Sequence, residues 1–377
     1  MWLTTWEKSV DELDRCLAEF EAELKAQQAD TASSSPLDGK VCVGIERALM
    51  ASFLGADLGR YYGGTTEDQI LFQLRSQMFA RTNIQASRRC IARVVAPDFG
   101  VALHATVLGV PWTPRRDQEP WASGEPPVRT AADLKDRPLP DFFTAGMMPP
   151  LLKMHAEMKT ILGSLFSVGF PGWCRGPLGN AFYLAGCERT LISLYQDQAF
   201  FHSLMRYGVD SMKKWISDRA AYLGEAIPVN DTIWNDEVSA ENFSAETYKE
   251  MIAPYDMEIR EFFGGQAGFH SCGNTTPLMD VIASMGRWSY MHVSAWSDLD
   301  TALRCFPDTD LLVCLHPYRE VLGCPLCTTQ TRIRDIVTKC KGRRFALAIT
   351  ELMPVNGPEK DLRKIRDILS FCEEILA

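Results

Sequence analysis

The residues best suited to chemistry are a histidine and a cysteine two positions apart, His270 and Cys272, in the stretch Gly-Phe-His-Ser-Cys-Gly. On a β-strand, residues i and i+2 point to the same face, with Cα atoms about 6.5 Å apart. An imidazole nitrogen and a thiolate at that spacing reach one ion at about 2.0 and 2.3 Å. Cysteine and histidine together favour zinc over Mg²⁺ or Ca²⁺. The alternative is a buried strand end without a metal.

A catalytic zinc takes three protein ligands and keeps one position open, so the third ligand must come from another strand. Polar residues stand at the ends of several other apolar runs that are typical of strands. They are Asp98, Asn235, Asp236, Glu237, His292, Cys314, His316 and Glu351. The residues alone do not decide between these positions, although Cys314 and His316 repeat the i, i+2 spacing of His270 and Cys272.

The second half of the chain alternates between short apolar runs and amphipathic segments. The predicted strands lie within residues 226–237, 267–273, 289–295, 310–317 and 344–351, and a predicted helix follows each. This order predicts parallel strands joined by helical crossovers. At 377 residues the chain fits an eight-stranded (β/α)8 TIM barrel of the α/β class better than an open sheet. In such a barrel the carboxyl ends of the strands meet at one mouth, where chemistry takes place.

The sequence pattern of the N-terminal region predicts a separate helical extension. Residues 5–28 carry apolar side chains at spacings of three and four, and residues 31–39 are rich in Ser, Pro and Gly. We therefore divide the chain into an arm and linker at residues 1–38 and a barrel at residues 39–377. The arm packs either on the barrel or on a second subunit of a homodimer.

Composition narrows the class of protein. Hydrophobic residues make up 46% of the chain and charged residues 23%, which is typical of a globular protein. The formal net charge of -9 argues against nucleic acid as a partner, because phosphate binding needs a basic face. We find no run of about 18 apolar residues and no apolar signal core, so we expect no membrane association and a cytoplasmic location. The twelve cysteines are then thiols or metal ligands rather than disulfides.

The stretch Phe-His-Ser-Cys-Gly-Asn-Thr-Thr, which contains His270 and Cys272, resembles a motif of the uroporphyrinogen decarboxylase superfamily, in its corrinoid and coenzyme M methyltransferase branch. The resemblance covers about residues 85–377. It implies a (β/α)8 barrel with zinc at its C-terminal mouth, held by the histidine and cysteine of this motif and a second cysteine on the last strand. In this chain Glu351 occupies the position of that second cysteine, so the resemblance implies Glu351 as the third ligand, with Cys314 and His316 as the alternative source. A carboxylate makes the ion harder, which suits activation of an oxygen or nitrogen leaving group.

The resemblance predicts a zinc-dependent methyltransferase. It moves a methyl group between a small O-, N- or S-methyl substrate and a corrinoid (cobalamin). A partner protein must carry the corrinoid, because we find no segment that resembles a corrinoid-binding domain. Asp236 or Glu237 would orient or protonate the substrate. The predicted substrate-binding residues are Asp98, Trp234, His292 and His316. Residues 108–130 and 320–330 are predicted as loops that form the docking rim.

Two other functions stay open. One is a metal-free carbon–carbon lyase like the decarboxylase itself, since Asp98 lies near the position of the essential aspartate of that enzyme. The Arg-Gln-Ala-Gly-Arg stretch that grips propionate groups there has no counterpart around Arg47 and Arg60. The other is a barrel without catalysis that binds a tetrapyrrole or a partner protein. Metal content separates the methyltransferase from both.

Overall fold

The strands and their bounds come from a computed structural model, which describes residues 10–29, 39–84, 91–113, 115 and 118–376. The strands are β1 (Val41–Ile45), β2 (Val94–Val95), β3 (Trp112–Thr113), β4 (Trp121–Ala122), β5 (Ser167–Val168), β6 (Thr232–Trp234), β7 (Gly268–His270), β8 (Tyr290–Val293), β9 (Asp310–Cys314) and β10 (Phe345–Leu352). The last five coincide with the five strands predicted in the second half.

Helices connect and cover these strands. The α-helices are α1 (Val10–Ala29), α2 (Arg47–Leu54), α3 (Leu58–Gly63), α4 (Thr66–Asn83), α5 (Leu103–Val107), α6 (Ala132–Lys135), α7 (Met148–Leu162), α8 (Pro177–Ala185), α9 (Cys187–Gln196), α10 (Gln198–Leu223), α11 (Ala245–Thr247), α12 (Ala253–Phe262), α13 (Met279–Ser284), α14 (Leu299–Cys305), α15 (Leu326–Lys339) and α16 (Pro358–Leu376). Short 3-10 turns cover Gly163–Leu165 and Thr276–Leu278, and π turns cover Tyr248–Ile252 and Pro317–Leu322.

The main sheet has six parallel strands in the order β1-β10-β9-β8-β7-β6. Each neighbouring pair from β6 to β10 is consecutive in the chain and separated by helix, as parallel crossovers require. This confirms the predicted α/β class with parallel strands. The register places Trp234 beside His270 and His292 beside Leu312. Polar residues at the carboxyl ends of β6, β7 and β8 are thereby brought to one edge.

The remaining parallel strands, β2 and β5, pair with each other in a separate two-stranded ladder. A single parallel bridge between Arg175 and Trp234 connects the segment after β5 to β6. Within the described residues the ladders therefore form two parallel sheets, and a closed ring of eight strands stays a prediction. The predicted loop 108–130 contains a small antiparallel hairpin, because Trp112 pairs with Ala122.

The N-terminal arm packs on the body of the protein. Helix α1 contacts α4, and its side chains Leu13, Phe20 and Leu24 are buried. The ring of Phe20 lies 5.4 Å from that of Phe166, which precedes β5. Residues 31–38 of the predicted linker, which spans residues 31–39, lie outside the described residues. Among the described helices, none combines the length and apolar character needed to cross a membrane.

Candidate metal site at the strand ends

Three potential ligand atoms from two adjacent strand ends converge. Asp236 follows β6, His270 is the last residue of β7, and Cys272 lies in the bend that follows β7. Their ligand atoms all lie within 4.8 Å of one another. His270 Nε2 is 3.0 Å from Asp236 Oδ1 and 3.3 Å from Cys272 Sγ. The i, i+2 spacing therefore does bring the imidazole and the thiol together, and a carboxylate joins them.

Glu351 lies on the other side of the thiol. Its Oε1 atom is 3.5 Å from Cys272 Sγ, and it comes from β10, three strands away from β7 in the sheet. Burial, and then the charges of Asp236 and Glu351, raise the pKa of the Cys272 thiol well above its ordinary value. A bound cation would reverse that effect, because a coordinating thiol is deprotonated. The cluster thus carries the negative charge that a divalent cation neutralises.

The two adjacent carboxyl groups after β6 differ in their protonation. Burial would raise the pKa of Asp236, but the hydrogen bond from His270 and the charge of Arg175 outweigh it, so its pKa falls below the ordinary value. Burial raises the pKa of Glu237 to about 7, against the opposing charge of Arg175. Asp236 is therefore suited to hold a cation, and Glu237 to transfer a proton near neutral pH.

Arg175 fixes both carboxylates. Its Nη1 atom lies 2.6 Å from Asp236 Oδ2 and 2.6 Å from Glu237 Oε1, and its Nε donates to the Tyr183 hydroxyl at 2.9 Å. Its side chain is only 11% exposed. Because Asp236 Oδ2 is held in this way, Oδ1 faces His270.

Two glycines make this approach sterically possible. A Cβ atom at Gly176 would collide with Asn235 Oδ1. One at Gly179 would lie 2.5 Å from Glu237 Oε2 and 2.8 Å from Arg175 Cδ. The Arg-Gly-Pro-Leu-Gly turn at residues 175–179 therefore allows the start of α8 to pack closely against the end of β6.

His270 is enclosed by aromatic rings. Its ring centroid is 4.6 Å from that of Trp234 and 4.1 Å from that of His292, with only 25° between the two imidazole planes. His292 donates from Nδ1 to the Ser271 carbonyl oxygen at 2.7 Å, so its Nε2 is the unprotonated nitrogen. Burial, and then the charge of His270, lower the pKa of His292 to about 3. A neutral imidazole thus packs against the candidate ligand.

The alternative ligands, Cys314 and His316, are engaged elsewhere. Cys314 Sγ lies 2.7 Å from His292 Nε2, and burial followed by the charge of Glu351 raises its pKa to about 12. His316 Nδ1 accepts from the backbone N–H groups of Tyr318 and Arg319, both at 3.2 Å, and so caps the π turn that follows. Among the described residues, neither belongs to the triad of converging ligand atoms.

Three of the four predicted substrate-binding residues fall into two groups, and the fourth, His316, caps the π turn as described above. Trp234 and His292 surround His270, as described above. Asp98 forms a different cluster after β2, where its Oδ2 atom accepts from Arg47 Nε at 3.0 Å and from the Tyr61 hydroxyl at 2.8 Å. Asp98 is thus already paired with a guanidinium and a phenol.

Arg175 and Tyr183 were not predicted from the sequence. The available signal was the arginine directly before the Gly-Pro turn that follows a strand. Trp173 lies close by, with its ring 6.1 Å from that of Trp234 and its face 5.4 Å from the Arg175 guanidinium carbon. Two indoles therefore form an aromatic wall next to the triad, which suits an apolar group.

The fold and the site together define an α/β protein with a soft-ligand cluster at the carboxyl ends of parallel strands. The family model for uroporphyrinogen decarboxylase (URO-D) matches residues 71–316, more than half of the chain. The chain therefore belongs to the uroporphyrinogen decarboxylase family, as its motif predicted.

The chain is also similar to a solved structure, that of a methyltransferase from Methanosarcina mazei. The TM-score is 0.62 at 12% sequence identity, and the match covers 92% of this chain and 96% of that chain. At this identity the similarity shows a shared fold. A search of curated proteins found no match.

Proposed function

We propose that the protein is a zinc-dependent methyltransferase that moves a methyl group between a small substrate and a corrinoid on a partner protein. The observation that carries this proposal is the convergence of Asp236, His270 and Cys272 within 4.8 Å at the mouth of the sheet. Membership of the uroporphyrinogen decarboxylase family and the fold shared with a methyltransferase support it. We also propose that the eight parallel strands close as a (β/α)8 barrel, the fold that the family resemblance implied.

The donor atoms fit zinc. Imidazole, thiolate and carboxylate are its usual ligands, and three of them leave one position for a substrate. His270 and Cys272 would hold the ion. Asp236 is the third ligand that the geometry favours, and Glu351 is the one that the family position predicts. When bound, zinc would supply Lewis acidity that polarises the methyl-bearing or methyl-accepting heteroatom.

The neighbouring residues prepare the site for that chemistry. Arg175 keeps Asp236 in place through its Oδ2 atom. Glu237 Oε2 is buried and has no hydrogen-bond partner among the described residues, so it is free to exchange a proton with a heteroatom that gains or loses a methyl group. Trp234 and Trp173 would shield the methyl group from water.

The corrinoid would arrive on another protein and dock over the strand ends. Residues that follow neighbouring strands there expose large side chains, such as Trp296 after β8, Tyr318 after β9 and Met353 after β10, with exposed fractions of 50%, 57% and 43%. Apolar contacts of this kind suit a partner that associates transiently. The predicted rim segment 108–130 remains a candidate for the same interface. The prediction of a loop at 320–330 is wrong, because these residues form the end of the π turn Pro317–Leu322 and the start of α15 (Leu326–Lys339).

Two measurements test the function. Protein purified without chelator should contain about one zinc per chain, as a three-ligand site requires. It should then methylate a reduced corrinoid from a panel of methoxy, methylamine and methylthiol compounds, or transfer methyl from methylcobalamin to a thiol, as followed by the corrinoid absorption. Protein that takes up no zinc, or zinc-loaded protein that transfers methyl in neither direction, contradicts the proposal.

One observation favours the metal-free lyase as a second candidate. Asp98 is held by Arg47 and Tyr61 after β2, at the position expected of the essential aspartate of the decarboxylase. Decarboxylation of a porphyrinogen by the metal-free protein, lost in Asp98→Asn, would support this candidate. The same activity unaffected by Cys272→Ser would place the reaction away from the metal cluster.

A further inference from the structure

We propose that the mouth of this protein selects neutral or cationic substrates and excludes anionic ones. This inference rests on the proposed function, because it concerns the group that enters the open position of the metal. It follows from the way in which charges are paired around the candidate ligands. It predicts a substrate class that neither the family nor the fold defines.

Negative groups outnumber positive ones around the triad even with a divalent ion bound. Three ionised carboxyl groups and a Cys272 thiolate carry four negative charges, and the ion and Arg175 carry three positive ones. Asp236 and Glu351 lie on two sides of Cys272, at 3.4 and 3.5 Å from its Sγ atom. Glu237 is the third carboxyl group. Arg175 is the cation that contacts this group, and its Nη1 is shared by Asp236 and Glu237. A guanidinium whose charge is offset by two carboxyl groups, and whose Nε donates to Tyr183, attracts a sulfonate, phosphate or carboxylate of a substrate only weakly.

A second acidic cluster lies at the ends of β1 and β2. Glu46 follows β1, and its N–H donates to the carbonyl oxygen of Leu352, the residue after Glu351. The carboxyl group of Glu119 lies near that of Glu46. The nearby Arg47 donates to Asp98. The same pattern recurs: an arginine at a strand end is neutralised by a carboxylate, and further carboxyl groups surround it.

Arg319 is an exposed cation near the mouth that needs a separate test. Arg319 follows β9, and its guanidinium carbon lies 4.8 Å from the ring centroid of Trp296, which is half exposed. A cation stacked on an exposed indole belongs to the outer rim and suits contact with a partner protein. If Arg319 instead recruits anionic substrates, removing it will reveal that role.

The expected size of the effect follows from Coulomb's law. One uncompensated unit charge at about 8 Å, in a site with an effective dielectric constant of about 20 to 40, changes an affinity by roughly 5- to 30-fold. We therefore expect an anionic substrate to bind about tenfold more weakly than a neutral one of the same size. Because part of the mouth is open to solvent, salt should reduce this difference.

A matched series of thiols tests the inference. Protein loaded with Co²⁺ is titrated with 2-aminoethanethiol, 2-mercaptoethanol and 2-mercaptoethanesulfonate, and binding is followed by the thiolate-to-cobalt absorption band. Affinities are corrected for the ionisation of each thiol. We expect the sulfonate to bind about tenfold more weakly than 2-mercaptoethanol, and the cationic thiol at least as tightly as the neutral one. The difference in affinity between the sulfonate and 2-mercaptoethanol should become smaller in about 1 M salt.

Variants identify which charged side chain causes the discrimination between the thiols. Glu351→Gln should reduce the difference in affinity between the sulfonate and the neutral thiol several-fold. Glu225→Gln is the matched control, because Glu225 is exposed in the segment between α10 and the start of β6, at the opposite end of the strands. Arg319→Gln should leave the order of the three thiols unchanged.

The outcomes separate the two proposals. A protein that takes up neither zinc nor cobalt contradicts the proposed function. A metal-loaded protein that binds the sulfonate as tightly as 2-mercaptoethanol, or that loses sulfonate binding in Arg319→Gln, overturns charge selection and leaves the proposed function in place. Failure of all three thiols to perturb the cobalt spectrum also overturns charge selection, since the neutral and cationic members are expected to bind.

Discussion

The carboxylate of Glu351 lies 3.5 Å from the thiol of Cys272, although their strands, β10 and β7, are separated by two others. Two strand ends that are not neighbours in the sheet thus meet at the candidate metal site. Glu351 has a φ of 59°, in the left-handed region that a glutamate rarely adopts. Strain of this kind persists where surrounding structure enforces it, and it is concentrated at functional sites.

The first prediction concerns the metal ligands. Cys272→Ser, Asp236→Asn and Glu351→Gln should each weaken zinc binding, by at least about tenfold, because each removes or neutralises a donor beside the cluster. Asp236→Asn should have the larger effect of the two carboxylate variants, since Asp236 Oδ1 contacts both His270 and Cys272. Competition with a chromophoric chelator measures the affinity.

Matched controls come from the alternative ligands. Cys314→Ser keeps a hydrogen-bond donor for His292 Nε2, and His316→Ala removes a cap of the π turn at the cost of about 1 kcal/mol of stability. Neither should change the zinc content. Zinc lost in Cys314→Ser but retained in Glu351→Gln would show that β9 rather than β10 supplies the third ligand.

The second prediction concerns the strained backbone at residue 351. Glycine adopts a positive φ without the steric cost that a Cβ atom brings. Glu351→Gly should therefore have a free energy of unfolding about 1 kcal/mol higher than that of Glu351→Ala, although both variants lack the carboxylate. Urea denaturation compares the two. Equal stabilities would mean that the backbone at this position relaxes when the side chain is removed.

The parts of the fold and site that could be predicted from the sequence are those set by local periodicity. Alternating strand and helix patterns located β6 to β10, and the i, i+2 rule paired His270 with Cys272. The acidic ends of β6 and β10 were also visible as candidates. Each of these inferences needs only a short window of sequence and the direction in which side chains point.

The other contacts of the site depend on strand register and on the steric clearance where two elements approach closely. The contact between His292 and Cys314 requires that His292 pairs with Leu312, which no local pattern specifies. Arg175 reaches Asp236 only because Gly176 and Gly179 admit the neighbouring strand. These contacts join residues that lie about 60 or fewer positions apart in the chain and on separate elements. The packing of those elements is not determined by reasoning from a single sequence.

The third prediction concerns Arg175. Its replacement by methionine leaves Asp236 and Glu237 buried without their cation, which should lower the free energy of unfolding by about 3–5 kcal/mol. Combining Arg175→Met with Glu237→Gln should recover part of this loss, because one buried charge is then removed. A double-mutant cycle by chemical denaturation measures the coupling. A loss below about 1 kcal/mol in the single variant would show that water readily replaces the guanidinium.

The fourth prediction uses a buried carboxyl group behind the site. Asp256 is fully buried, and its Oδ2 atom accepts hydrogen bonds from Asn235 Nδ2 at 2.9 Å and from the Tyr248 hydroxyl at 2.8 Å. Burial raises the pKa of Asp256 to about 7 from an ordinary value of 3.8, against the opposing effect of these two bonds. The folded protein therefore keeps a proton that the unfolded chain has already lost between these two pH values.

Because the folded state binds the extra proton, this group makes the protein less stable as pH rises from about 4 to about 7, and the loss is complete above pH 7. Asp256→Asn removes the titration and keeps a carbonyl oxygen that accepts both hydrogen bonds. We expect the variant to be more stable than the wild type at pH 8, by up to about 4 kcal/mol, and to lose most of that advantage at pH 5. Urea denaturation of both proteins at the two pH values measures this difference, and an advantage that does not depend on pH would contradict the assignment.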